Sequence, residues 1–518
     1  MLIGIDVGGT NTDAVLMDGT TLLAKAKTPT SGDVTSGIMA ALGKVLSGIP
    51  VQLIAGVMLG TTHFTNALLE RRGLAPTAVV RLSLPATRLL PPLVDWPNDL
   101  RNAIGGFTYM ASGGYEFDGR EISPLDFGEL GEIVRDIRQK GVEAVAVSGV
   151  FSPVNPTQER EAGAFIQREL PHVQITLSHE NGRVGLLERE NAAALNACLA
   201  KVGERSISSI KQAMEAMGLT APLYLSQNDG TLMDEGFAAR FPVFAIASGP
   251  TNSMRGGAHL SGLSDCIIVD VGGTTTDIGA LVNGFPREAS LAVNIAGVRT
   301  NFRMPDVVSI ALGGGSIVRP ETLPEPLAVG PESVGFRLGV QALVFGGSTL
   351  TATDVAVAGG LAQLGDPALV SGLDPELGRR TLQQIKQRIE TVVDQVKLSP
   401  SPVPVVLVGG GSLLVGESLV GASQVLRPEH GDVANAIGAA IAQVGGQIEK
   451  VFSLEDVGRD EALASIRAEA IDRAVAAGAM PGTVEVVELD EIPLTYLPGN
   501  ATLIRAKAVG DLRISPRG

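Results

Sequence analysis

The chain has few cysteines and few positively charged residues relative to acidic ones, and each of these two shortages argues against a class of function. Its two cysteines, Cys198 and Cys266, are too few for a disulfide framework or a cysteine-bound metal cluster. The formal net charge of -15 argues against a nucleic-acid partner, because a surface that binds phosphate backbones needs an excess of Lys and Arg. Low cysteine usage also favours the reducing cytoplasm as the location of the protein.

Long apolar runs are missing as well. No uninterrupted apolar stretch reaches the roughly 18 residues that span a bilayer, so the sequence predicts no membrane-spanning helix. The chain opens directly on a strand-like run at residues 2–7, which predicts that it carries no signal peptide. Hydrophobic residues make up 45% of the chain and charged residues 18%, a balance typical of a well-packed globular protein.

Glycine is abundant, with 64 residues, and part of it lies in an internal repeat. Residues 6–13 read Asp-Val-Gly-Gly-Thr-Asn-Thr-Asp, and residues 270–277 read Asp-Val-Gly-Gly-Thr-Thr-Thr-Asp. Apolar runs flank each copy, and the second runs stop at Asp-Gly (18–19) and Asn-Gly (283–284), which are typical of hairpin turns. A separation of 264 residues, about half the chain, predicts two related domains that each begin with a β-hairpin.

Apolar periodicity between and after the hairpins predicts alternating helices and strands, so the expected fold class is α/β. Helices are predicted at 35–48, 126–140, 156–169, 186–217, 378–397, 434–444 and 456–477. Further strands are predicted at 54–58, 142–148, 173–178, 403–408, 483–488, 493–497 and 501–508. Residues 85–125 are rich in Pro, Gly and Asp and predict an irregular insertion.

These elements divide into five predicted segments. They are a first domain with the first hairpin (1–74), an α/β insertion on the substrate side (75–185), a helical connection (186–262), a second domain (263–448) and a small C-terminal α/β unit (449–518).

The repeated hairpin suits a nucleotide triphosphate. A Gly-Gly turn lacks two Cβ atoms, so its backbone N–H groups can approach phosphate oxygens closely, and the following Thr adds a hydroxyl donor. Asp6 and Asp270 end the first strands and are the predicted Mg²⁺ carboxylates; with Thr10 and Thr274 they are the predicted catalytic residues. The predicted ATP-binding residues of the two turns are Gly8, Gly9, Thr10, Asn11, Thr12, Gly272, Gly273, Thr274 and Thr275. One copy alone could be only a tight turn, but two near-identical copies favour the phosphate role.

A third glycine-rich loop follows the predicted strand at 403–408. Its members Gly409, Gly410, Gly411 and Ser412 suit close approach of an adenosine ring or sugar to the backbone. Asn435, near the start of the next predicted helix, would close the other side of the nucleotide. The alternative is a tight strand-to-helix turn with a close-packed helix.

With these motifs the sequence resembles the actin, sugar-kinase and heat-shock-chaperone ATPase superfamily, which has two ribonuclease-H-like domains facing a nucleotide cleft. Within it the chain closely resembles the ATP-dependent hydantoinase/5-oxoprolinase family, specifically the subunit that binds ATP. The stretches that carry this resemblance are the two hairpins, Gly-Thr-Thr-His-Phe-Thr-Asn-Ala at 60–67, Ser-His-Glu at 178–180, Ser-Gly-Pro at 248–250 and Ala-Asn-Ala-Ile-Gly-Ala-Ala at 434–440.

The resemblance implies ATP- and Mg²⁺-dependent phosphorylation of the carbonyl oxygen of a cyclic amide such as a hydantoin, a lactam or 5-oxoproline. Water then opens the activated ring, and a second hydantoinase-type subunit is the implied partner. Related members carboxylate ketones, so a carboxylase subunit is one alternative. A non-catalytic, nucleotide-switched assembly protein is another, and homo-oligomerisation stays open.

Several further side chains have competing interpretations. Thr61, Thr62, His63 and Asn66 are predicted to line the substrate side, although His63 could instead make only local hydrogen bonds. Asp13 and Asp277 are predicted to orient the hairpins by local hydrogen bonds, with a catalytic-base role for either as the alternative. Glu188 and Arg189 are predicted to form an internal ion pair, and Asp354 to cap the helix that starts beside it.

Overall fold

The computed structural model describes residues 1–29, 34–289, 292–302, 304–321, 326–495 and 499–513. Its helices are α1 (Val34–Val45), α2 (His63–Glu70), α3 (Asn98–Ala103), α4 (Phe127–Gln139), α5 (Thr157–Glu169), α6 (Ser178–Asn181), α7 (Leu186–Ala216), α8 (Glu235–Arg240), α9 (Ser248–Ser261), α10 (Leu338–Gln341), α11 (Ala352–Ala358), α12 (Pro375–Val396), α13 (Ala434–Ala440) and α14 (Arg459–Ala476).

The strands alternate with these helices along most of the chain. They are β1 (Leu2–Val7), β2 (Asn11–Asp18), β3 (Thr21–Pro29), β4 (Gly56–Thr61), β5 (Thr77–Leu84), β6 (Phe107–Ser112), β7 (Ala144–Gly149), β8 (Gln174–Leu177), β9 (Leu223–Ser226), β10 (Thr231–Asp234), β11 (Cys266–Val271), β12 (Thr276–Val282), β13 (Phe285–Pro286), β14 (Val293–Ile295), β15 (Val298–Thr300), β16 (Val307–Ile310), β17 (Ser316–Arg319), β18 (Ala328–Ser333), β19 (Val403–Val408), β20 (Ala422–Leu426), β21 (Gln443–Ser453), β22 (Glu485–Pro493) and β23 (Ala501–Gly510).

The two halves repeat one strand order. In the first half the order is β3-β2-β1-β4-β9, with the first three strands antiparallel and β4 and β9 parallel to β1. In the second half β13-β12-β11-β19-β20 follows the same pattern. The repeated hairpins are therefore the first two strands of two ribonuclease-H-like domains, and the predicted α/β fold class is confirmed.

The strands near the C-terminus belong to the first sheet. β10, β21, β23 and β22 continue it beyond β9, so that the sheet has nine strands. Sheet membership thus runs across the predicted segments, whose boundaries stay a prediction.

Two predictions in this region are wrong. The helix predicted over 434–444 ends at Ala440, and β21 begins three residues later at Gln443. Helix α14 packs so closely on β21 that a Cβ at Gly446 would overlap the backbone of Ala474. This contact explains why small residues continue past the end of α13 into β21. The strand predicted at 493–497 is also wrong where described, because β22 ends at Pro493; residues 496–497 lie outside the described residues.

The insertion has its own parallel sheet, in the order β6-β5-β7-β8. The prediction that 85–125 is irregular is wrong in part, because α3 and β6 lie within it. Both elements are short and flanked by Pro and Gly, so they carry little apolar periodicity. Trp96 in this stretch is buried and donates its Nε1–H to Asn191 on α7 at 2.7 Å.

Two helices, α9 and α13, pack against each other between the halves. A Cβ at Gly256 of α9 would overlap the carbonyl of Ala434, and a Cβ at Gly438 of α13 would overlap the carbonyl of Asn252. Small residues thus bring the two helix backbones into contact. None of the helices in the described part of the chain could span a lipid bilayer.

Candidate active site between the two hairpins

The two glycine-rich turns have the same geometry and meet at their tips. The N–H of Gly8 donates to the carbonyl of Asn11 at 3.0 Å, and the N–H of Gly272 donates to that of Thr275 at 2.9 Å. The hydroxyls of Thr10 and Thr274 lie 3.3 Å apart. The structure therefore brings the predicted catalytic threonines together across the interface between the domains.

Asp6 lies at the end of β1 and is almost fully buried. Its carboxylate accepts from Asn252 Nδ2 at 3.5 Å and from Asn435 Nδ2 at 3.0 Å. Burial, reinforced by the charge of Asp13, raises the pKa of Asp6 to about 7. A carboxylate with so little solvent around it favours a cation as a ligand.

Asp270 occupies the matching position at the end of β11. It accepts a hydrogen bond of 2.5 Å from the hydroxyl of Ser253. Burial raises the pKa of Asp270, while that hydrogen bond and the charge of Lys27 oppose the effect. Since Asn252 and Ser253 are neighbours on α9, a single helix holds the carboxylates of both hairpins.

The second carboxylates of the hairpins have partners of different charge. Asp13 accepts from Asn435 Nδ2 at 3.0 Å and lies 2.6 Å from Lys27 Nζ. Asp277 accepts from the hydroxyl of Ser309, and burial raises the pKa of Asp277 to about 7. Both side chains therefore make hydrogen bonds beside their hairpin, as an orienting role requires.

Asn435 was expected to close the far side of the nucleotide. The structure places its amide between Asp6 and Asp13, where the two N–H groups of Nδ2 serve one carboxylate each. In this position its contacts are with the first hairpin. A direct contact with the nucleotide stays a prediction.

The loop after β19 contacts the second hairpin. Gly409 has a φ of +81°, and a Cβ there would overlap the carboxylate of Asp270. The N–H of Gly411 donates to the carbonyl of Val271 at 2.8 Å, and the N–H of Ser412 donates to that of Gly409 at 3.2 Å. By contrast, a Cβ at Gly410 would meet nothing within 4 Å, so this residue faces open space, as a nucleotide-binding loop would need.

A second loop supports the same hairpin from behind. The N–H of Gly314 donates to the carbonyl of Gly272 at 3.0 Å, and the N–H of Gly315 donates to that of Gly273 at 2.7 Å. These bonds engage carbonyl groups of the turn and hold it in place.

The predicted substrate loop begins at the end of β4, next to the first hairpin. The Thr62 hydroxyl donates to the carbonyl of Val7 at 3.2 Å, and Asn66 Nδ2 donates to the Thr62 hydroxyl at 3.4 Å. The backbone N–H of His63 donates to the Thr61 hydroxyl at 3.2 Å, and burial lowers the pKa of the His63 side chain. The four residues thus lie beside the hairpin, while their contact with a substrate stays a prediction.

The remaining predicted turn residues differ in exposure. Gly9 and Thr275 are exposed, and Asn11 and Gly273 are half-buried. Thr12 is buried, with its hydroxyl directed at Gly37 of α1. Its side chain therefore packs under the turn and does not face the other hairpin.

Two further predictions concern residues outside the cleft, and the structure contradicts one and confirms the other. The predicted Glu188–Arg189 ion pair is wrong: Glu188 pairs with Arg299 at 3.2 Å, whereas Arg189 donates to the Ser178 hydroxyl at 2.9 Å. Adjacent helix residues point about 100° apart, which explains the separation. Asp354 does cap α11, as the acidic partner of Thr351 in a capping box.

Three site residues were missed by sequence reasoning. Asn252 and Ser253 follow the Ser-Gly-Pro motif by two and three residues, so their position on one helix could have been read from that motif. Lys27 stands opposite Asp13 in the β2–β3 register. A bulge at Leu16–Met17 shifts that register, so hairpin counting alone would not have found it.

The residues present fit a magnesium-bound nucleotide. The carboxylates of Asp6, which is buried, and Asp270, which is half-buried, lie at matching positions on opposing hairpins, and oxygen is the ligand atom that Mg²⁺ prefers. The Oδ1 of Asn252 is buried beside Asp6 without a hydrogen-bond partner in the described part of the chain, which leaves an acceptor for a metal-bound water. The described residues contain no group of three or more His, Cys, Asp or Glu placed to hold a metal, so phosphate oxygens and water would complete the coordination.

Comparison with known proteins agrees with this architecture. The chain is 32% identical to the caprolactamase subunit alpha of Pseudomonas jessenii over 71% of its own length and 56% of that protein. It is 27% identical to the acetophenone carboxylase gamma subunit of Aromatoleum aromaticum over 68% of the chain and 52% of that protein. The chain thus spans about half the length of the curated relatives it matches.

A solved structure has the same fold. The crystal structure of the ATP-dependent caprolactamase from Pseudomonas jessenii superposes with a TM-score of 0.77 at 21% identity, covering 100% of this chain and 88% of that one. Family models match most of the sequence: the hydantoinase/oxoprolinase N-terminal region at residues 2–170 and hydantoinase/oxoprolinase at 189–366. On these matches, the chain belongs to the hydantoinase/oxoprolinase family.

Proposed function

We propose that this protein binds ATP and Mg²⁺ between its two hairpins and transfers the γ-phosphoryl group to the carbonyl oxygen of a cyclic amide. The observation that carries the proposal is the contact of the two turns, with the Thr10 and Thr274 hydroxyls 3.3 Å apart, a buried carboxylate (Asp6) behind the first turn and a half-buried one (Asp270) behind the second. Donors from both domains converge on one small volume, which is what a transferring phosphoryl group requires.

Each part of the site has a distinct task in this proposal. The N–H groups of the second glycine and the threonine of each turn, together with the two threonine hydroxyls, donate to phosphate oxygens, where they stabilise the charge of the transferring group. Asp6 and Asp270 would hold the magnesium ion, which when bound neutralises charge on the phosphates. Asn252 and Ser253 fix the orientation of these carboxylates from α9.

The proposed step conserves atoms and charge. The amide carbonyl oxygen forms a bond to the γ-phosphorus as the bond from that phosphorus to the β,γ-bridging oxygen breaks, and ADP leaves. The ring N–H proton is lost to solvent, which leaves an imidate phosphate with a C=N bond. Phosphorylation makes the carbon electrophilic, so water adds to it; the ring C–N bond then breaks as the nitrogen takes a proton, which leaves a ring-opened acyl phosphate. A second water attacks the acyl carbon and displaces inorganic phosphate, which leaves a free amine and a carboxylate.

The relatives guide the choice of substrate. Of the two curated relatives described above, the more similar is a subunit of an enzyme named for a lactam, and the other is a subunit of a carboxylase. We therefore favour a lactam-type ring and include the carboxylase as the alternative that the experiment must separate. A second subunit that completes ring opening is part of the proposal, because both relatives are named as subunits.

ADP release tests the proposal. The protein is incubated with Mg·ATP and, in separate reactions, caprolactam, 5-oxoproline, hydantoin or a ketone with bicarbonate, with and without a candidate partner subunit. We expect a cyclic amide to raise ADP release at least about tenfold over ATP alone, and Asp270→Asn to abolish the increase. Asp265→Asn, an exposed carboxylate at the opposite end of β11, is the control of equal charge and should keep it. Stimulation only by ketone plus bicarbonate would instead support the carboxylase.

A further inference from the structure

A row of charged side chains crosses the first sheet beside the hairpin. Asp6 stands opposite Asp13 in the β1–β2 pair, and Asp13 stands opposite Lys27 in the β2–β3 pair. Residues directly opposite each other in antiparallel strands place their side chains on the same face. The ammonium of Lys27 accordingly lies 2.6 Å from Asp13 Oδ1, with 35% of its side chain exposed.

The second domain has no ammonium at the matching place. There Asp270 stands opposite Asp277, and Asp277 stands opposite Ser309 on β16. The third member of the row is a hydroxyl, which donates to Asp277. The two domains therefore share this row of side chains, but the row contains a cation in the first domain and a hydroxyl in the second. The internal repeat does not explain this difference.

The charge of Lys27 acts on both hairpins. It lowers the pKa of Asp13 and that of Asp270, in both cases against the stronger raising effect of burial. Asp270 belongs to the other domain, so the ammonium, although carried by the edge strand β3, lies near the cleft between the hairpins. Lys25 lies two residues earlier on the same face of β3, but it pairs with Asp432 at 2.8 Å.

We propose that Lys27 is a catalytic residue that contacts the terminal phosphate of the bound nucleotide, and that Asp13 holds its ammonium in place for this contact. The inference rests on the proposed function insofar as it requires a nucleotide between the hairpins. A magnesium-bound triphosphate is still negatively charged, and it enters a cleft lined by Asp6, Asp13, Asp270 and Asp277. A cation is needed there to stabilise the charge on the γ-phosphoryl group.

The side chain of Lys27 is suited to this task. Lysine carries a compact charge on a flexible stem, so its ammonium can turn from Asp13 toward a phosphate while the backbone of β3 stays paired. No covalent bond to Lys27 forms or breaks, since its contribution is electrostatic. In this contact Asp13 acts through Lys27 and is a positioning residue.

Nucleotide binding measured by calorimetry tests this role without any ring substrate. The variants are Lys27→Met, Lys27→Arg and, as the control of equal charge on the same strand face, Lys25→Met. For Lys27→Met we expect magnesium-bound AMP-PNP to bind roughly 10- to 100-fold more weakly, because the variant loses one charge-assisted hydrogen bond to the nucleotide. Binding of ADP should change by less than about threefold, Lys27→Arg should restore most of the AMP-PNP affinity, and Lys25→Met should bind like the wild type.

Amine labelling of the wild-type protein gives a second measurement that needs no variant to fold. N-hydroxysuccinimidyl acetate modifies exposed lysines, and mass spectrometry compares Lys27 with Lys25. Magnesium-bound AMP-PNP should protect Lys27 and leave Lys25 unchanged, whereas ADP should protect neither. Equal labelling of Lys27 with and without AMP-PNP, or unchanged AMP-PNP binding by a folded Lys27→Met, would overturn the role of Lys27 but not the proposed function. Wild-type protein that binds no AMP-PNP would overturn the proposed function as well.

Discussion

At the scale of single residues, the site depends on glycines whose missing side chains leave room for carboxylates. Gly60 and Gly409 lie beside Asp6 and Asp270, and a Cβ at either would overlap the neighbouring carboxylate. The sequence predicts glycine-rich loops near a phosphate, but it does not show that the loop at 409–412 shapes the carboxylate itself. That contact arises from the parallel pairing of β19 with β11, which brings distant residues together.

Alanine substitutions in the loop test this contact. Gly409→Ala should lower the free energy of unfolding by about 1–3 kcal/mol, because its φ of +81° disfavours a side chain and the Cβ would displace Asp270. The same variant should bind Mg·ATP more weakly. Gly410→Ala is the control, since a Cβ there meets nothing within 4 Å and should leave stability within about 0.5 kcal/mol of wild type. Chemical denaturation measures the stability of both variants. Equal stability would contradict the contact between Gly409 and the Asp270 carboxylate.

At the scale of elements, α9 links the two hairpins. Its neighbours Asn252 and Ser253 hold one carboxylate from each domain, and its glycines allow α13 to pack against it. The Ser-Gly-Pro and Ala-Asn-Ala motifs could be read from the sequence as family features. Their pairing could not, because no periodicity within either segment shows which helix it will pack against.

Two glycine-to-alanine variants separate close packing from helix propensity. Gly438→Ala should destabilise the protein by about 2–3 kcal/mol, because the added Cβ overlaps the carbonyl of Asn252. Gly43→Ala, at an exposed position of α1 with open space around it, should stabilise the protein by about 0.5 kcal/mol. The free energy of unfolding, measured in urea, should therefore change in opposite directions. A stabilising Gly438→Ala would show that the two helices are not in contact.

At the scale of the whole molecule, the repeat of eight residues predicted two related domains, and the strand orders bear this out. The sequence did not show that the C-terminal strands join the first sheet. Their attachment depends on long-range partners, among them the buried pair of Asp229 with Lys507 on β23, 3.0 Å apart. Such pairs have no local signal, since 278 residues separate the partners.

The Asp229–Lys507 pair makes stability depend on pH. Burial alone would raise the pKa of Asp229, but Lys507 and hydrogen bonds from Thr231 outweigh it and leave the pKa below its usual value. A depressed folded pKa means that the stabilisation is complete above the unfolded pKa of about 4 and is lost as pH falls through the folded pKa. Asp229→Asn should thus cost about 3–5 kcal/mol at pH 7, because it leaves the Lys507 charge buried without its partner.

Below about pH 4 the cost of Asp229→Asn should begin to shrink, since the carboxylate is then protonated in the unfolded wild-type chain, and it should go on shrinking as pH falls through the depressed folded pKa. Asp472→Asn, an exposed position on α14, is the control and should match wild type at each pH. Thermal or urea unfolding across pH 3 to 7 gives the comparison. A cost that stays constant over this range would show that the charge of Asp229 does not stabilise the attachment of β23.

The most direct test of carbonyl phosphorylation follows one oxygen atom. The cyclic amide that stimulates ADP release is prepared with oxygen-18 in its carbonyl group and turned over by the protein together with its partner subunit. If the γ-phosphoryl group is transferred to the carbonyl oxygen, the inorganic phosphate released contains the oxygen-18, as mass spectrometry will show. Oxygen-18 that remains wholly in the ring-opened product, with phosphate that carries none, would contradict transfer to the carbonyl oxygen followed by attack of water at the carbon.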